Sequence, residues 1–340
     1  MQVRSRSLKN RVAIVTGGSR GIGRECVLAL ARLGCDVVIA VRCFVSTLSL
    51  ATSINSARDN AYFTLKNRQT YQAKTTDPHP TLPGTIFTVA EEARKFGVRA
   101  LPFKVDLRNA EQIERMVETV VARFGRIDIL INNASALWWQ DIADTPTKKY
   151  DLINQVNARG TFITTKLCLP HMKKNGFGRV VTMSPPIATR GIAGRTAYCI
   201  SKFGMTLTAL GAAEEYFGEG ITSHSLWPAT IIESLASKNF QLGDRSMWRK
   251  ATILSDCVVG LVCDTDEKFT GRMLIDDEYL RERHGFRDED FVQYRCDPDV
   301  EPGRFLAQHD SSFRVRRGAV SELDKDLEKD VIDDEPRSRL

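Results

Sequence analysis

The 340-residue sequence predicts an α/β fold, in which helices cover both faces of one doubly wound parallel sheet of about seven strands. Two observations lead to this prediction. Short apolar runs typical of buried strands alternate with amphipathic helix patterns over the first two-thirds of the chain. A glycine-rich turn, TGGSRGIG, also joins the first predicted strand to the first predicted helix.

The strands are predicted in chain order. They are VAIVT, VVIA, ALPFKV, IDILIN, RVVTM, ITSHSL and a late run, MLIDD, that closes the sheet. Helices are predicted between them, over residues 20–33, residues 110–124 and the segment that contains Tyr198. This strand-helix-strand alternation indicates a parallel sheet rather than a set of hairpins.

Two stretches depart from the alternation. We predict one domain over residues 1–285 and a C-terminal extension over residues 286–340, which is partly disordered because its acidic end has few large apolar residues. Residues 41–72 form an insertion after the second strand, longer than loops in compact domains usually are. The insertion begins with Val and ends with Gln, whose codons fit the two ends of an in-frame retained intron. Comparison of transcript and genomic sequence decides this hypothesis.

Composition excludes several classes of protein. The net charge of +6 is mild and dispersed, which argues against a nucleic-acid partner. No apolar run is long enough to span a bilayer. The eight cysteines have no metal-ligand spacing and indicate reduced thiols in an intracellular compartment, and we assign no metal site.

The sequence ends in Ser338-Arg339-Leu340, which resembles the C-terminal peroxisomal address. We therefore expect a peroxisomal location and a peroxisomal import receptor as partner. Cytoplasm and mitochondrion are the alternatives.

The glycine-rich turn predicts dinucleotide binding of the Rossmann type. Glycines allow a tight turn and a close approach of the backbone to a pyrophosphate, and the helix that follows directs its free N–H groups at the same anion. The predicted cofactor contacts in this turn are Gly17, Gly18, Ser19, Arg20, Gly21, Ile22 and Gly23.

Charge beside the adenosine ribose distinguishes the two nicotinamide dinucleotides. No acid follows the second strand, whereas Arg42 does, and Arg20 lies within the turn. Basic residues accommodate a 2′-phosphate, so NADP is predicted in preference to NAD. Asp106 is a candidate for the adenine edge; the alternative is an acid that only precedes a helix.

Three motifs in order resemble the short-chain dehydrogenase/reductase superfamily: TGGSRGIG, then Asn132-Asn133-Ala134 after a strand, then Tyr198-Cys199-Ile200-Ser201-Lys202. The resemblance implies that Asn133 lies at the cofactor and that Lys74 matches the family's cofactor contact. If the insertion is native, Arg42 takes the place beside the 2′-phosphate; if it is not, Lys74 does.

The resemblance also implies an active site. Tyr198 would be the general acid in carbonyl reduction and the base in the reverse reaction, and Lys202, one helical turn away, would favour the phenolate and bind the nicotinamide ribose. Asn157 matches the asparagine that holds a water in the proton relay. The alternative is an aromatic residue and a cation on a helix surface.

The serine of the family pattern is missing. Pro185 stands at its position and has no donor, and Ser184 precedes it. We expect Ser184 to replace the missing hydroxyl; the alternative is that Tyr198 and the backbone alone hold the substrate oxygen. Trp138 and Trp139 either line an apolar substrate pocket or pack in the ordinary way.

These features predict an NADP-dependent oxidoreductase that acts on the carbonyl or hydroxyl group of a small, hydrophobic, lipid-like substrate. The resemblance further implies a homo-oligomer, either a dimer or a tetramer. The competing hypothesis is a catalytically silent dinucleotide-binding protein with a structural or regulatory role, which the missing serine and the insertion favour.

Overall fold

The apolar strand runs assemble into one seven-stranded parallel sheet in the computed structural model. The structure describes residues 3–41, 85–188, 192–234, 237–238 and 242–307. The sheet strands are β1 (Val12–Thr16), β2 (Asp36–Val41), β3 (Ala100–Lys104), β4 (Ile129–Asn132), β5 (Gly178–Met183), β6 (Ile221–Trp227) and β9 (Met273–Ile275). The predicted fold class and all seven predicted strands are confirmed.

Helices connect the strands on both faces of the sheet. They are α1 (Gly21–Arg32), α2 (Ile86–Arg94), α3 (Ala110–Phe124), α4 (Thr147–Asn154), α5 (Gly160–Lys174), α6 (Thr196–Glu215), α7 (Thr252–Cys263), α8 (Asp276–His284) and α9 (Asp288–Phe291). A π-helical turn (Gln155–Arg159) joins α4 to α5. Two short strands, β7 (Ile231–Ile232) and β8 (Trp248–Arg249), pair beyond β6.

Successive residues of β1 pack into two separate cores, because side chains alternate between the faces of a strand. Ala13 and Val15 join the core beneath α1 and α7, whereas Val12 and Ile14 join the core beneath α3 and α5. Both faces of the sheet are thus covered, which explains the continuous apolar runs in the sequence.

The strand order reverses between β1 and β4. From β1 the chain proceeds through β2 to β3 on one side, and from β4 through β5 and β6 to β9 on the other. Ligands of such sheets bind in the crevice that opens at the carboxyl ends of the strands at this switch point. The glycine-rich turn after β1 and the Asn132-Asn133-Ala134 motif at the end of β4 both lie there.

Residues beyond α8 also pack on the domain. Phe286, Phe291 and Tyr294 are buried and join the core beneath α1 and α7. This stretch follows the boundary predicted at residue 285. No helix in the described ranges is long and apolar enough to cross a membrane.

Several predicted features lie outside the described residues. These are Arg42, Lys74, the insertion apart from Val41, and the end of the chain with its SRL tripeptide. Val41, the first residue of the predicted insertion, is the last residue of β2.

Candidate active site

The glycine-rich turn has the backbone conformation that its sequence predicts. Gly17 and Gly21 have φ of 71° and 51°, in the left-handed region that glycine adopts without strain. Gly23 is needed for a different reason, because a Cβ atom there would lie 2.3 Å from the carbonyl oxygen of Gly17 and 2.5 Å from Nδ2 of Asn133. The turn therefore packs directly against the asparagine motif of β4.

The start of α1 fits a dinucleotide pyrophosphate. Arg20 precedes the helix in an extended conformation, no side chain caps the helix, and its first turn contains no acidic residue. The first N–H groups of α1 are thus left for a ligand, and the positive end of the helix dipole favours an anion. Ser19 is buried in the turn.

The asparagine motif fastens β4 to the glycine-rich turn. Asn133 Nδ2 donates to the carbonyl oxygens of Thr16 and Gly17, at 3.0 and 3.2 Å, and the backbone N–H groups of Asn133 and Ala134 donate to Thr16 Oγ1. Asn132 is buried and donates to Thr165 Oγ1. Asn133 thus lies at the predicted cofactor crevice and shapes it.

Asn157 lies in the π-helical turn between α4 and α5 and is fully buried. Its side chain accepts a hydrogen bond from the N–H of Ala136 at 2.7 Å and donates to the carbonyl oxygen of Ala136 and to Ser201 Oγ, both at 2.9 Å. Ser201 Oγ in turn donates to the carbonyl oxygen of Tyr198. Asn157 therefore joins the segment after β4 to the helix of the catalytic candidates.

Tyr198 is half-buried in the first turn of α6. Trp139 packs edge-on against its ring, with 6.3 Å between the ring centroids. Burial raises the pKa of the Tyr198 phenol well above its ordinary value, while a side-chain hydrogen bond with Ser135 and the positive charge of Arg195 oppose that rise.

Lys202 follows one helical turn later and is almost fully buried. Its Nζ atom lies 5.9 Å from the centroid of the Tyr198 ring and 5.4 Å from that of the Trp227 ring. Burial lowers the pKa of Lys202 to about 7. An anion beside this group, such as a phenolate, would raise that pKa again, so the charge of Lys202 responds to the state of its neighbours.

The side chain of Ser184, the candidate for the missing hydroxyl, pairs with Thr206, and its role in catalysis stays a prediction. Its side chain is fully buried, and its Oγ accepts a 2.9 Å hydrogen bond from Thr206, which also donates to the carbonyl oxygen of Pro185. Ser135, which is exposed, lies near the Tyr198 side chain and lowers the pKa of its phenol, while the Ser135 hydroxyl donates to the carbonyl oxygen of Ala136 at 3.3 Å.

Ser135 is a candidate that the sequence interpretation missed. Its neighbours are fixed on both sides, Ala134 by Thr16 and Ala136 by Asn157. The signal was present in the sequence, since Ser135 directly follows the Asn132-Asn133-Ala134 motif. Only the folded chain places it opposite a residue 63 positions later, beside Tyr198.

Asp106, the predicted adenine contact, is hydrogen-bonded to Arg108. Asp106 accepts hydrogen bonds from the guanidinium group of Arg108, at 2.9 and 3.0 Å from Nε, and from the N–H of Arg108. Its contact with adenine stays a prediction. In the described part of the chain, no three acidic, histidine or cysteine side chains group together as a metal site.

The turn, the asparagine motif, Asn157, Tyr198 and Lys202 thus meet at the carboxyl edge of the sheet. The family model of the short-chain dehydrogenases matches residues 11–75 and 83–241, well over half of the chain. The chain belongs to this family and is an NAD(P)-dependent short-chain dehydrogenase/reductase.

Particular relatives are similar over most of the chain. Hydroxysteroid dehydrogenase-like protein 2 of Bos taurus is 36% identical over 315 residues, which cover 91% of this chain and 67% of the relative. The Danio rerio protein of the same name is 38% identical and covers 86% of this chain and 61% of its own length. A solved structure, a putative dehydrogenase from Xanthomonas campestris, superposes with a TM-score of 0.74 at 32% identity, covering 89% of this chain and all of that one.

Proposed function

We propose that this protein interconverts a carbonyl group and an alcohol on a small hydrophobic compound, with Tyr198 as the general acid of reduction and the base of oxidation. The observation that carries the proposal is that the Nζ atom of buried Lys202 lies 5.9 Å from the centroid of the Tyr198 ring, with Ser135 also near the phenol. A nearby buried cation and a hydroxyl are what a phenol needs to give up and regain a proton near neutral pH.

Each side chain has a separate part in the proposed reduction. When bound, the reduced nicotinamide supplies a hydride to the carbonyl carbon. Tyr198 donates its proton to the carbonyl oxygen, and Lys202 stabilises the phenolate that remains. Ser135 donates a second hydrogen bond to the same oxygen and takes the part of the serine that Pro185 replaces.

NADP is the proposed cofactor. Its support is charge: Arg20 lies in the glycine-rich turn, and β2 ends in Val41 without an acidic residue that would bind a free ribose hydroxyl. A comparison of kcat/KM for NADPH and NADH tests this choice. A preference for NADH would contradict it.

A dimer through α5 and α6 is the proposed assembly. These helices carry large apolar side chains that are exposed in the single chain: Phe162 on α5, and Ile200 and Leu207 on α6. An apolar face of this kind indicates a protein contact. Sedimentation of wild type and of Leu207→Glu tests it, since the charge should shift the variant to monomer.

The decisive experiment separates turnover from binding. NADPH oxidation is followed with a panel of aliphatic and cyclic carbonyl compounds, and NADPH affinity is measured by fluorescence for wild type and Tyr198→Phe. We expect the substitution to abolish turnover and to change NADPH affinity by less than about threefold, since the phenol acts in the transition state. NADPH binding with no turnover of any carbonyl would instead indicate the silent dinucleotide-binding protein.

A further inference from the structure

A cavity of about 420 Å³ opens beside Trp139. Trp139, whose ring packs against Tyr198, and Arg195, which directly precedes α6, form one wall. Ile231 and Leu242 line it from the region after β6. The volume is within the range of small-molecule sites, so the cavity is large enough for the body of a medium-sized substrate.

The remaining wall comes from the C-terminal segment, through Phe305 and Leu306. The N–H of Leu306 donates to the carbonyl oxygen of Ala229, at 2.9 Å, and the N–H of Ala229 donates to Oδ1 of buried Asp276. The loop after β6 and the C-terminal segment are therefore fixed to each other and to the start of α8.

An ion pair fastens the same segment a second time. The guanidinium group of Arg304 binds both carboxylate oxygens of Asp277, at 2.7 and 2.9 Å, and Asp277 is nearly fully buried. Bidentate pairs of this kind fix orientation as well as position. Phe305 and Leu306 are thus held at the cavity as a wall rather than as a loose chain end.

Arg195 is the one charged residue among the described residues that line the cavity. Its guanidinium carbon lies 5.3 Å from the centroid of the Trp139 ring, an arrangement that holds the cation over the aromatic face. No acidic side chain within the described ranges forms an ion pair with it. Asp141 approaches the preceding residue, since its Oδ1 would lie 3.6 Å from a Cβ atom placed on Gly194.

A half-buried cation with no acidic partner among the described residues, in a cavity whose other described lining residues are apolar, favours a ligand that supplies an anion. The apolar walls favour a hydrocarbon body, and Tyr198 beyond Trp139 requires a carbonyl or hydroxyl group. A molecule in which an apolar chain separates a carboxylate from the reacting group meets all three conditions.

We propose that the preferred substrates are oxo acids or hydroxy acids of medium length, whose carboxylate binds Arg195 while the apolar chain lies against Phe305 and Leu306. The inference rests on the proposed carbonyl-alcohol function and adds the substrate class. Arg195 is accordingly a specificity-determining residue.

The test compares an aliphatic oxo acid of about ten carbons, a length chosen for this cavity volume, with its methyl ester. We expect wild type to prefer the acid in kcat/KM by at least about tenfold, because a desolvated charge pair contributes more than a neutral contact. Arg195→Gln should lower the acid-to-ester ratio of kcat/KM by a similar factor, because any effect of its charge on the pKa of Tyr198 acts on both substrates alike. Arg115→Gln, which removes an exposed charge from α3, is the matched control and should leave this ratio unchanged.

Two further variants examine the environment of Arg195. Asp141→Asn removes the nearby negative charge and should improve kcat/KM for the acid alone. Phe305→Ala removes part of the apolar wall and should lower kcat/KM for both substrates severalfold. The acid-to-ester ratio of kcat/KM should stay constant.

A binding measurement separates the failure of this inference from failure of the proposed function. Quenching of tryptophan fluorescence by a saturated fatty acid of the same length, which has no carbonyl to reduce, should require Arg195. If the fatty acid binds in this way but nothing is turned over, the proposed function fails and the anion site stands. If acid and ester are turned over equally by wild type, or Arg195→Gln lowers both equally, the substrate class is overturned while the reductase stands.

Discussion

The ammonium group of Lys202 donates a 2.7 Å hydrogen bond to the carbonyl oxygen of Met183, the last residue of β5. This bond joins the middle of α6 to the carboxyl end of the sheet. It holds the Nζ atom of Lys202 5.9 and 5.4 Å from the ring centroids of Tyr198 and Trp227, where its positive charge acts on the phenol. The same burial makes the charge of Lys202 costly, and stability should therefore depend on pH.

Lys202→Met tests that dependence. The pKa of Lys202 falls from 10.5 to about 7 on burial, so between these pH values the unfolded chain binds a proton that the folded protein has released. This group therefore makes wild type more stable as pH rises through the window, by at most about 1.4 kcal/mol per pH unit. The variant lacks this gain, so its stability relative to wild type should be highest below pH 7 and should fall towards pH 10.

Urea unfolding without cofactor, repeated across this pH range, measures the effect. Lys95→Met, at an exposed position, is the control for loss of a lysine charge. If the difference in free energy of unfolding between Lys202→Met and wild type stays constant with pH, burial does not lower the pKa of Lys202.

Ser135→Ala tests the hydroxyl beside Tyr198. Removal of one donor to the developing oxyanion typically lowers kcat about 100-fold, and we expect a loss of that order with KM little changed. Ser184→Ala should act mainly on stability, by about 1 kcal/mol, because it removes the acceptor of the Thr206 hydroxyl. Steady-state kinetics and urea unfolding of both variants decide between them. A larger loss of kcat in Ser184→Ala would return the role to the residue that the sequence favours.

Gly23→Ala should disrupt the cofactor crevice. A methyl group there would lie 2.3 Å from the carbonyl oxygen of Gly17, and both that oxygen and Asn133 would have to move. We expect NADPH affinity to fall at least about tenfold and stability to fall by about 1–3 kcal/mol, as for other overpacked sites. Gly21→Ala is the comparison, since among the described residues its Cβ would meet Ser234 alone, at 3.8 Å.

Gly21→Ala still places a side chain at a positive φ, so it should cost about 1 kcal/mol. Fluorescence titration with NADPH ranks the two variants. Equal loss of affinity in both would mean that backbone conformation, rather than the close contact at Gly23, accounts for the requirement for glycine.

Asn157→Ala should destabilise the fold and slow catalysis together. It leaves the N–H of buried Ala136 without its partner and removes one of two hydrogen bonds to the Ala136 carbonyl oxygen, the other coming from Ser135 Oγ, so we expect a loss of about 2 kcal/mol in the free energy of unfolding. Ser135, one residue before Ala136, should lose its fixed position, so kcat should fall as well. In a double-mutant cycle, Asn157→Ala should therefore have little further effect on kcat once Ser135 is alanine. Additive effects would show that Asn157 acts on the reaction by another route, such as the water that the family resemblance implies.

Much of the fold could be predicted from local patterns. The apolar runs of β1 to β6 are continuous because both faces of the sheet are covered. The turn needs glycine where its backbone is left-handed, because few other residues adopt that conformation. Both features can therefore be recognised in the sequence. Tyr198 and Lys202 could be paired because they are one helical turn apart, a distance that the helix sets without help from the rest of the protein.

The choice of hydroxyl could not be made in this way. Ser184 adjoins the missing serine's position in sequence, yet its side chain turns into the core and meets Thr206, and Ser135 comes from a different strand end.

The cavity is a further example, since Trp139, Arg195 and Phe305 are distant in sequence and meet only after the sheet has formed. Sequence periodicity reports contacts within one helix or strand. The directions of side chains in loops, and the packing of a C-terminal segment against a loop after β6, depend on long-range hydrogen bonds and ion pairs that exist only once the chain has folded.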